Sequence, residues 1–364
     1  MNRRSFLAAA AAATVLSRTG HATPAPEYLQ SRYLAPDHPL QEAWTAWKAL
    51  CLLPEGRVVD QFQDAASHSE GQGYGLTLAA LFGDRDAAEL IIGWTERSLN
   101  QRGDGLLSWR WRPETSPHVE DPNNASDGDL FYAWGLALMG SRQARPDLIE
   151  RAQRTADALL AHCTAEHPDG SGRRFLLPGA AGFRHEDALV LNPSYYMPLA
   201  MHDLARITGR GSLATLASEG EALIDELARG GLVPDWISLT ADGPAAPPEN
   251  FLRRSGYEAI RVPLFALWSD RAEAPAVTAF SQALAAAEPQ SGAVTVFDPV
   301  TREVLERSSH PGYAAIAALA TCATSNRVGS LIPAFSDAQP YYPATLHLMA
   351  LVVQSTVFPR CVPI

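Results

Sequence analysis

An all-α fold, with an inner and an outer ring of helices, is predicted by three observations on this 364-residue chain. Apolar residues recur at helical spacing through most of it, and alternating strand patterns are scarce. Many helical stretches are Ala/Leu-rich with two apolar flanks rather than one. A helix apolar on two sides needs neighbours on both, which suits two layers better than a simple bundle.

The elements follow in order. LQEAWTAWKALCLL, from Leu40, sets Trp44, Trp47 and Cys51 on one helical stripe. HSEGQGYGL, His68 to Leu76, places Glu70 among three glycines; it predicts a break in regular structure, with Glu70 just N-terminal to an apolar helix. DAAELIIGWTERSL, DLFYAWGLALMGSRQ, DLIERAQRTADALLAHC, MPLAMHDLARITG and SLATLASEGEALIDELARG continue the helical series. AIRVPLFALWS, APAVTAFSQALAAA, GYAAIAALATCA and YPATLHLMALVVQS complete about ten to twelve helices of ordinary length. GAVTVFDPVTREVLE is the best candidate for a short hairpin. No segment repeats strictly, so a solenoid is not supported, and no composition shift divides the chain.

The first residues read as a targeting segment. MNRRSFLAAAAAATVLS pairs Arg3 with Arg4 ahead of a short Ala-rich run, and GHA before Thr23 offers a small-residue cleavage site. Residues 1–22 are expected to be a twin-arginine signal peptide and residues 23–364 a single domain. The apolar run is well short of the ~20 residues that span a bilayer, so no membrane association is expected after cleavage. A periplasmic or secreted location follows. The net charge of -11 and the lack of a basic stripe argue against nucleic acid. Cys51, Cys163, Cys322 and Cys361 are far apart with no metal-ligand spacing, so no metal is expected. One or two disulfides or buried free thiols remain open, their pairing unreadable from spacing.

Carboxylates are the candidates for chemistry. Glu70, and Asp127 and Asp129 in NNASDGDLFYAW, precede apolar helical runs. Acids at helix starts commonly cap free N–H groups, and the helix dipole lowers their pKa. A proton donor at Glu70 would therefore need burial or a neighbouring negative charge to stay protonated. Aromatics stand beside acids in several loops: Trp109 and Trp111 before Asp127, Tyr195 after Asn192, Trp236 after Asp235, and Tyr257 before Glu258. Any one of them could be core. Together they suit a groove in which pyranose faces stack on rings while acids and amides bind hydroxyls.

SEGQGYGL, NNASDGDLFYAWGLAL, LNPSYYMP, LVPDWI, SGYEAIRVPL and PYYPATLHLMAL occur in the order seen in family 8 glycoside hydrolases, and the chain resembles that family from about Trp44 to about Leu351. Within it, the likeness is greatest to the periplasmic endoglucanases encoded with bacterial cellulose synthases. The resemblance implies an (α/α)6 barrel with an open cleft at one end, and cleavage of β-1,4-glucan with inversion and without metal or cofactor. It implies that Glu70 is the general acid, Glu258 the base, and Asp127 the residue that holds the distorted sugar. Asp129 is expected to be structural. Tyr257 and Arg261 would stand beside the catalytic water and the base; Trp109, Trp111, Asn192, Tyr195, Asp235 and Trp236 would bind substrate.

Two positions depart from the pattern. Glu258 stands where the nearest relatives have Asp, which moves its oxygens by over about 1 Å unless the backbone compensates, and about 1 Å can cost on the order of 100-fold in rate. Tyr132 replaces an Ile or Met, which reads as a packing change. The expected partner is a β-1,4-glucan chain, with a cellulose synthase or export complex as a further one, and the protein is expected to act as a monomer. Two alternatives stay open: a glucan-binding component without chemistry, and the same fold acting on chitosan, xylan or mixed-linkage glucan. A polysaccharide lyase on a helical toroid would call for a Tyr/His or Tyr/Arg base, and the acid-rich blocks argue against it.

Overall fold

The computed structural model describes residues 25–325 and 327–363, so the twin-arginine segment and its cleavage point at residue 22 lie outside the described residues. Among these, eleven α-helices carry the fold. They are α1 (Leu40–Cys51), α2 (Ser69–Phe82), α3 (Arg85–Ser98), α4 (Ser126–Gln143), α5 (Pro146–His162) and α6 (Pro198–Thr208). The series continues with α7 (Ser212–Gly230), α8 (Arg261–Trp268), α9 (Pro275–Ala286), α10 (Pro311–Ala323) and α11 (Tyr341–Thr356).

Two kinds of helix alternate. α2, α8, α11 and all but the last residues of α4 are buried around almost their whole circumference. α1, α3, α5 and α7 bury one face and turn charged residues outward. In α1 that face is the Trp44, Trp47 and Cys51 stripe, with the two indoles stacked at 5.2 Å. The mostly buried helices pack in succession, α2 on α4, α4 on α6, α6 on α8, and α8 on α10 and α11. α1 then lies against both α11 and α2.

The glycines of SEGQGYG do not break structure; they lie inside α2. Their role is close approach. A Cβ on Gly73 would stand 2.8 Å from the Tyr132 nitrogen and 2.9 Å from the Gly128 carbonyl oxygen of α4. From the other side, a Cβ on Gly128 would meet Ser69 Oγ at 2.2 Å, and one on Gly135 would meet Leu76 Cγ at 2.7 Å. The two helices touch through bare backbone, a benefit that outweighs the propensity cost of about 1 kcal/mol per glycine. Tyr132 is buried in this layer and donates to Glu96 Oε1 of α3 at 2.6 Å, so it belongs to packing.

Strands are short and peripheral: β1 (Ser67–His68) pairs with β2 (Arg110–Trp111), and β3 (Thr164–Glu166) with β4 (Arg174–Leu176). β5 (Ala188–Leu191), β6 (Ile237–Thr240) and β7 (Gly243–Ala245) form a small antiparallel sheet over its own apolar cluster, which includes Phe175, Leu191 and Leu239. β8 (Ala293–Phe297) and β9 (Val304–Ser308) are the hairpin that the sequence predicts. The others escape sequence reading because two to four residues are too few to display a period of two. Cys322 and Cys361 form a disulfide that ties the end of α10 to the C-terminal tail, while Cys51 and Cys163 are buried thiols. Among the described residues, no helix is long and apolar enough to cross a membrane.

Candidate active site

Glu70 and Asp127 do not precede their helices, as the sequence suggests; they sit in the first turns of α2 and α4. The residue before α4 is Ala125, and neither helix start is capped by the residue preceding it. Asp127 Oδ1 accepts the first-turn N–H of Gly128 at 2.8 Å, whereas Glu70 accepts no backbone N–H among the described residues, so capping accounts for part of Asp127 and none of Glu70. Because α2 and α4 touch through glycine at these ends, their first turns are side by side and the two carboxyls meet. Glu258 arrives from the turn just before α8, and Arg261 from the first residue of that helix.

Arg261 gathers all three acids. Its Nη1 donates to Glu70 Oε2 at 2.5 Å and to Asp127 Oδ2 at 3.3 Å, while Nη2 donates to Glu258 Oε2. Tyr74 OH accepts from Nη1 at 3.0 Å, and Ser194 Oγ from Nη2 at 2.7 Å. The guanidinium is 1% exposed, and its flat five-donor fork is the side chain suited to several carboxyls at once. Tyr341 OH donates to the other Glu70 oxygen at 3.3 Å. Asn192 Nδ2 donates to Glu258 Oε2 at 3.0 Å, and Oε1 of Glu258 accepts no hydrogen bond among the described residues.

The charge count decides the protonation. Three ionised carboxyls against one guanidinium would leave two uncompensated negative charges in a desolvated cluster, so a proton is retained. Burial pushes Glu70 up to about 8; Arg261 opposes this, and the Asp127 and Glu258 charges add to it. Asp127 is pushed up to about 6 by the same burial, against Arg261. Burial thus outweighs the helix dipole, which alone would keep both acids ionised. Burial also keeps the surrounding phenols of Tyr74, Tyr195, Tyr341 and Tyr342 neutral.

Glu70, Asp127, Glu258, Arg261, Tyr341 and Tyr342 line an open cavity of about 390 Å³, together with Asp60, Gln63, His68, Trp109, Tyr195 and Tyr257. Trp109 stacks on His68 with ring centroids 5.9 Å apart, and its indole N–H donates to Asp121 at 3.0 Å. A larger groove of about 1020 Å³ flanks α10, but it holds one carboxylate, Glu288, and no acid cluster. The acid cluster lies in the smaller cavity.

Of the residues expected to bind substrate, Trp109, Tyr195, Tyr257 and Arg261 line this cavity. Four do not. Trp111 is packed between Trp94 and His118 with the Arg57 guanidinium over its ring. Asp235 is 2% exposed, and both its oxygens are taken by protein donors. Trp236 stacks on Phe183 and Phe251, beyond Tyr195. Asn192 is buried and spends its amide on Glu258 and Ser194. Adjacency in sequence to an acid did not distinguish rings on the groove from rings behind it. Asp129 accepts from the Leu107 N–H at 2.7 Å and from Asn124 Nδ2 at 2.8 Å, holding both ends of the loop that carries Trp109.

Tyr74, Ser194, Tyr341 and Tyr342 were not singled out from sequence. Each lies inside one of the six ordered blocks, and that block membership was the available signal.

A mostly helical frame that brings three carboxyls and one arginine to an open cavity lined by aromatics holds the acid pair that a glycoside hydrolase uses. Residues 29–356 match the family model described as "Glycosyl hydrolases family 8". The chain is 32% identical over 357 residues to the "Probable endoglucanase" of Novacetimonas hansenii, covering 96% of this chain and 98% of that one. It is 36% identical over 232 residues to the endoglucanase of Cellulomonas uda, a match spanning 63% of this chain and 64% of its relative. The structure of endo-beta-1,4-glucanase CMCax from Acetobacter xylinum superposes with a TM-score of 0.77 at 30% identity, covering 89% of this chain and 99% of that one. The chain belongs to glycosyl hydrolase family 8.

Proposed function

We propose that this family 8 endoglucanase hydrolyses cellulose-type β-1,4-glucan with inversion, using Glu70 as acid and Glu258 as base. The carrying observation is that Arg261 joins Glu70, Asp127 and Glu258 on the floor of one groove, with Glu70 favoured in its protonated form. Protonated Glu70 donates to the glycosidic oxygen as the bond breaks. Glu258, with Oε2 anchored and Oε1 unengaged, takes a proton from water attacking the opposite face of the sugar. Asp127, which unlike Asp235 lines the cavity, offers hydroxyls of the distorted ring the lone pairs left beside its bonds to Gly128 and Arg261. Trp109, held by Arg110 and His68, lines the wall next to it.

One guanidinium bridges the two acids, so their bonded oxygens lie at most about 7 Å apart, a bound that spans the spacing of about 5–5.5 Å used by retaining enzymes as well as the lower edge of the inverting range. Inversion rests on the family resemblance, and the product anomer tests it. The packing order of the mostly buried helices supports an (α/α)6 barrel, with α2, α4, α6, α8, α10 and α11 as its inner helices. Arg3-Arg4 ahead of the apolar run supports export by the twin-arginine route to the periplasm or beyond. Likeness to endoglucanases encoded with cellulose synthases supports a role beside a cellulose synthesis or export complex.

Reducing-end release from carboxymethylcellulose, with the anomer of the first product followed by NMR, tests the assignment. Glu70→Gln and Glu258→Gln are expected to lose about 100-fold or more, the usual range for general acid–base catalysis. Glu258→Asp is expected to keep more activity than the Gln variant, and the first product to be the α-anomer. Wild-type rates in Glu70→Gln remove the acid, and a β-anomer removes inversion. A parallel panel of chitosan, xylan and mixed-linkage glucan fixes the preferred polymer.

A further inference from the structure

Glu258 lies in a turn, residues 255–260, between a single bridge to β8 and the start of α8. Within it the Gly256 carbonyl accepts the Ile260 N–H at 2.9 Å and the Glu258 carbonyl accepts the Arg261 N–H at 3.1 Å. The Glu258 side-chain contacts act on one carboxylate oxygen only. The turn is also held from outside. Asp235 Oδ1 accepts from the Gly256 N–H at 2.7 Å and the Ala259 N–H at 2.8 Å, one on each side of Glu258. Asp235 Oδ2 accepts from Arg254 Nε at 3.0 Å, and the Asp235 N–H donates to the Arg254 carbonyl at 2.7 Å.

The opposite side is gripped by the β8–β9 hairpin. Ser255 and Phe297 exchange two backbone hydrogen bonds of 2.9 Å, and Glu306 accepts from Tyr257 OH at 3.0 Å. Gly256 fits because a Cβ there would come within 3.2 Å of Asp235 Oδ2. Burial raises the Asp235 carboxyl above its ordinary value, the Glu258 charge adds to this, and the Ala259 and Gly256 N–H groups and the Arg254 side chain pull it down. A buried carboxylate with all its donors on one turn is a fastening.

We propose that Asp235 is a positioning residue: by pinning the backbone on both sides of Glu258, it sets where that carboxylate stands relative to the attacking water. This rests on Glu258 as the base. Glu258 carries its carboxyl on two methylenes, so its reach is controlled only if its Cα is fixed. Misplacement by about 1 Å can cost on the order of 100-fold in rate.

The test is a double-mutant cycle in the full-length chain, on an aryl cello-oligosaccharide sensitive enough to read residual rates. Asp235→Asn is nearly isosteric but sets an amide donor against Arg254. It is expected to lower kcat about 10- to 100-fold with KM within about 2-fold, the signature of an interaction felt in the transition state. If Asp235 acts through Glu258, adding Asp235→Asn to Glu258→Gln costs less than about 2-fold further. Losses that multiply, a loss confined to KM, or a wild-type kcat in Asp235→Asn overturn the proposal. Wild-type kcat in Glu258→Gln instead defeats the base assignment itself, and this proposal with it. Should Asp235→Asn not fold, Arg254→Gln replaces it, loosening Asp235 from outside. The same kcat-only loss, absent on the Glu258→Gln background, supports positioning, and an unchanged kcat overturns it.

Discussion

Replacing Glu70 by Gln should stabilise the protein at neutral and alkaline pH while it removes activity. In the fold the carboxyl titrates at about 8, against an ordinary value of 4.5, because it is buried beside Asp127 and Glu258. The pKa is raised, so the folded state binds the proton that the unfolded chain gives up. Glu70 therefore costs nothing below pH 4.5, an increasing amount as pH rises through the interval, and a constant amount above 8. With those two values the cost is about 3 kcal/mol at pH 7 and about 5 kcal/mol at pH 9.

Gln removes the ionisation and keeps the volume and one acceptor for Arg261. It weakens one hydrogen bond of the pair made with Arg261 and Tyr341, an offset of about 1 kcal/mol. The expected net gain is about 2 kcal/mol at pH 7, or roughly 3 °C in Tm for a domain of about 340 residues at about 2.1 cal/mol/K of unfolding entropy per residue. The assay is thermal unfolding of both proteins from pH 4.5 to 9, monitored by circular dichroism, with turnover measured on the same samples. A Tm difference that grows with pH supports the argument. A difference that is constant across the range, or favours Glu at pH 9, shows that Glu70 is not held protonated and removes the physical basis for its acid role.

Two further outcomes follow from the packing. Gly73→Ala should destabilise by about 1–3 kcal/mol, because its Cβ would stand 2.8–2.9 Å from α4 backbone and force the helices apart. It should also lower kcat, since the same contact sets Glu70 beside Asp127; unchanged Tm and turnover in unfolding and kinetic assays would contradict the close-contact account. Replacing Cys322 and Cys361 together by Ser opens a 39-residue separation, which the chain-entropy model values at about 4 kcal/mol, seen as a lower urea midpoint. Turnover at 25 °C should not change, because neither cysteine lines the cavity that holds Glu70, Asp127 and Glu258.

Helices were legible because their signal is local: a buried stripe such as Trp44, Trp47 and Cys51 repeats within a few residues. The six blocks likewise fixed which acids to consider, and Glu70, Asp127 and Glu258 do share one groove. Sidedness was not legible. Trp109 reaches the groove and Trp111 does not, although they are two residues apart. Asp127 and Asp235 are both acids beside aromatics, yet one faces the cavity and the other fastens the turn behind Glu258.

The pattern of the chain determined its helices and its acidic blocks, since periodicity and composition act over a few residues. Only the tertiary structure decided that glycines would be contact points instead of breaks, and that one arginine would face three carboxyls. It also decided that Glu70, at a helix end whose dipole favours ionisation, would be favoured in its protonated form. Those outcomes depend on burial and on charges contributed by α2, α4 and the start of α8, segments remote in the chain, and no local window contains them.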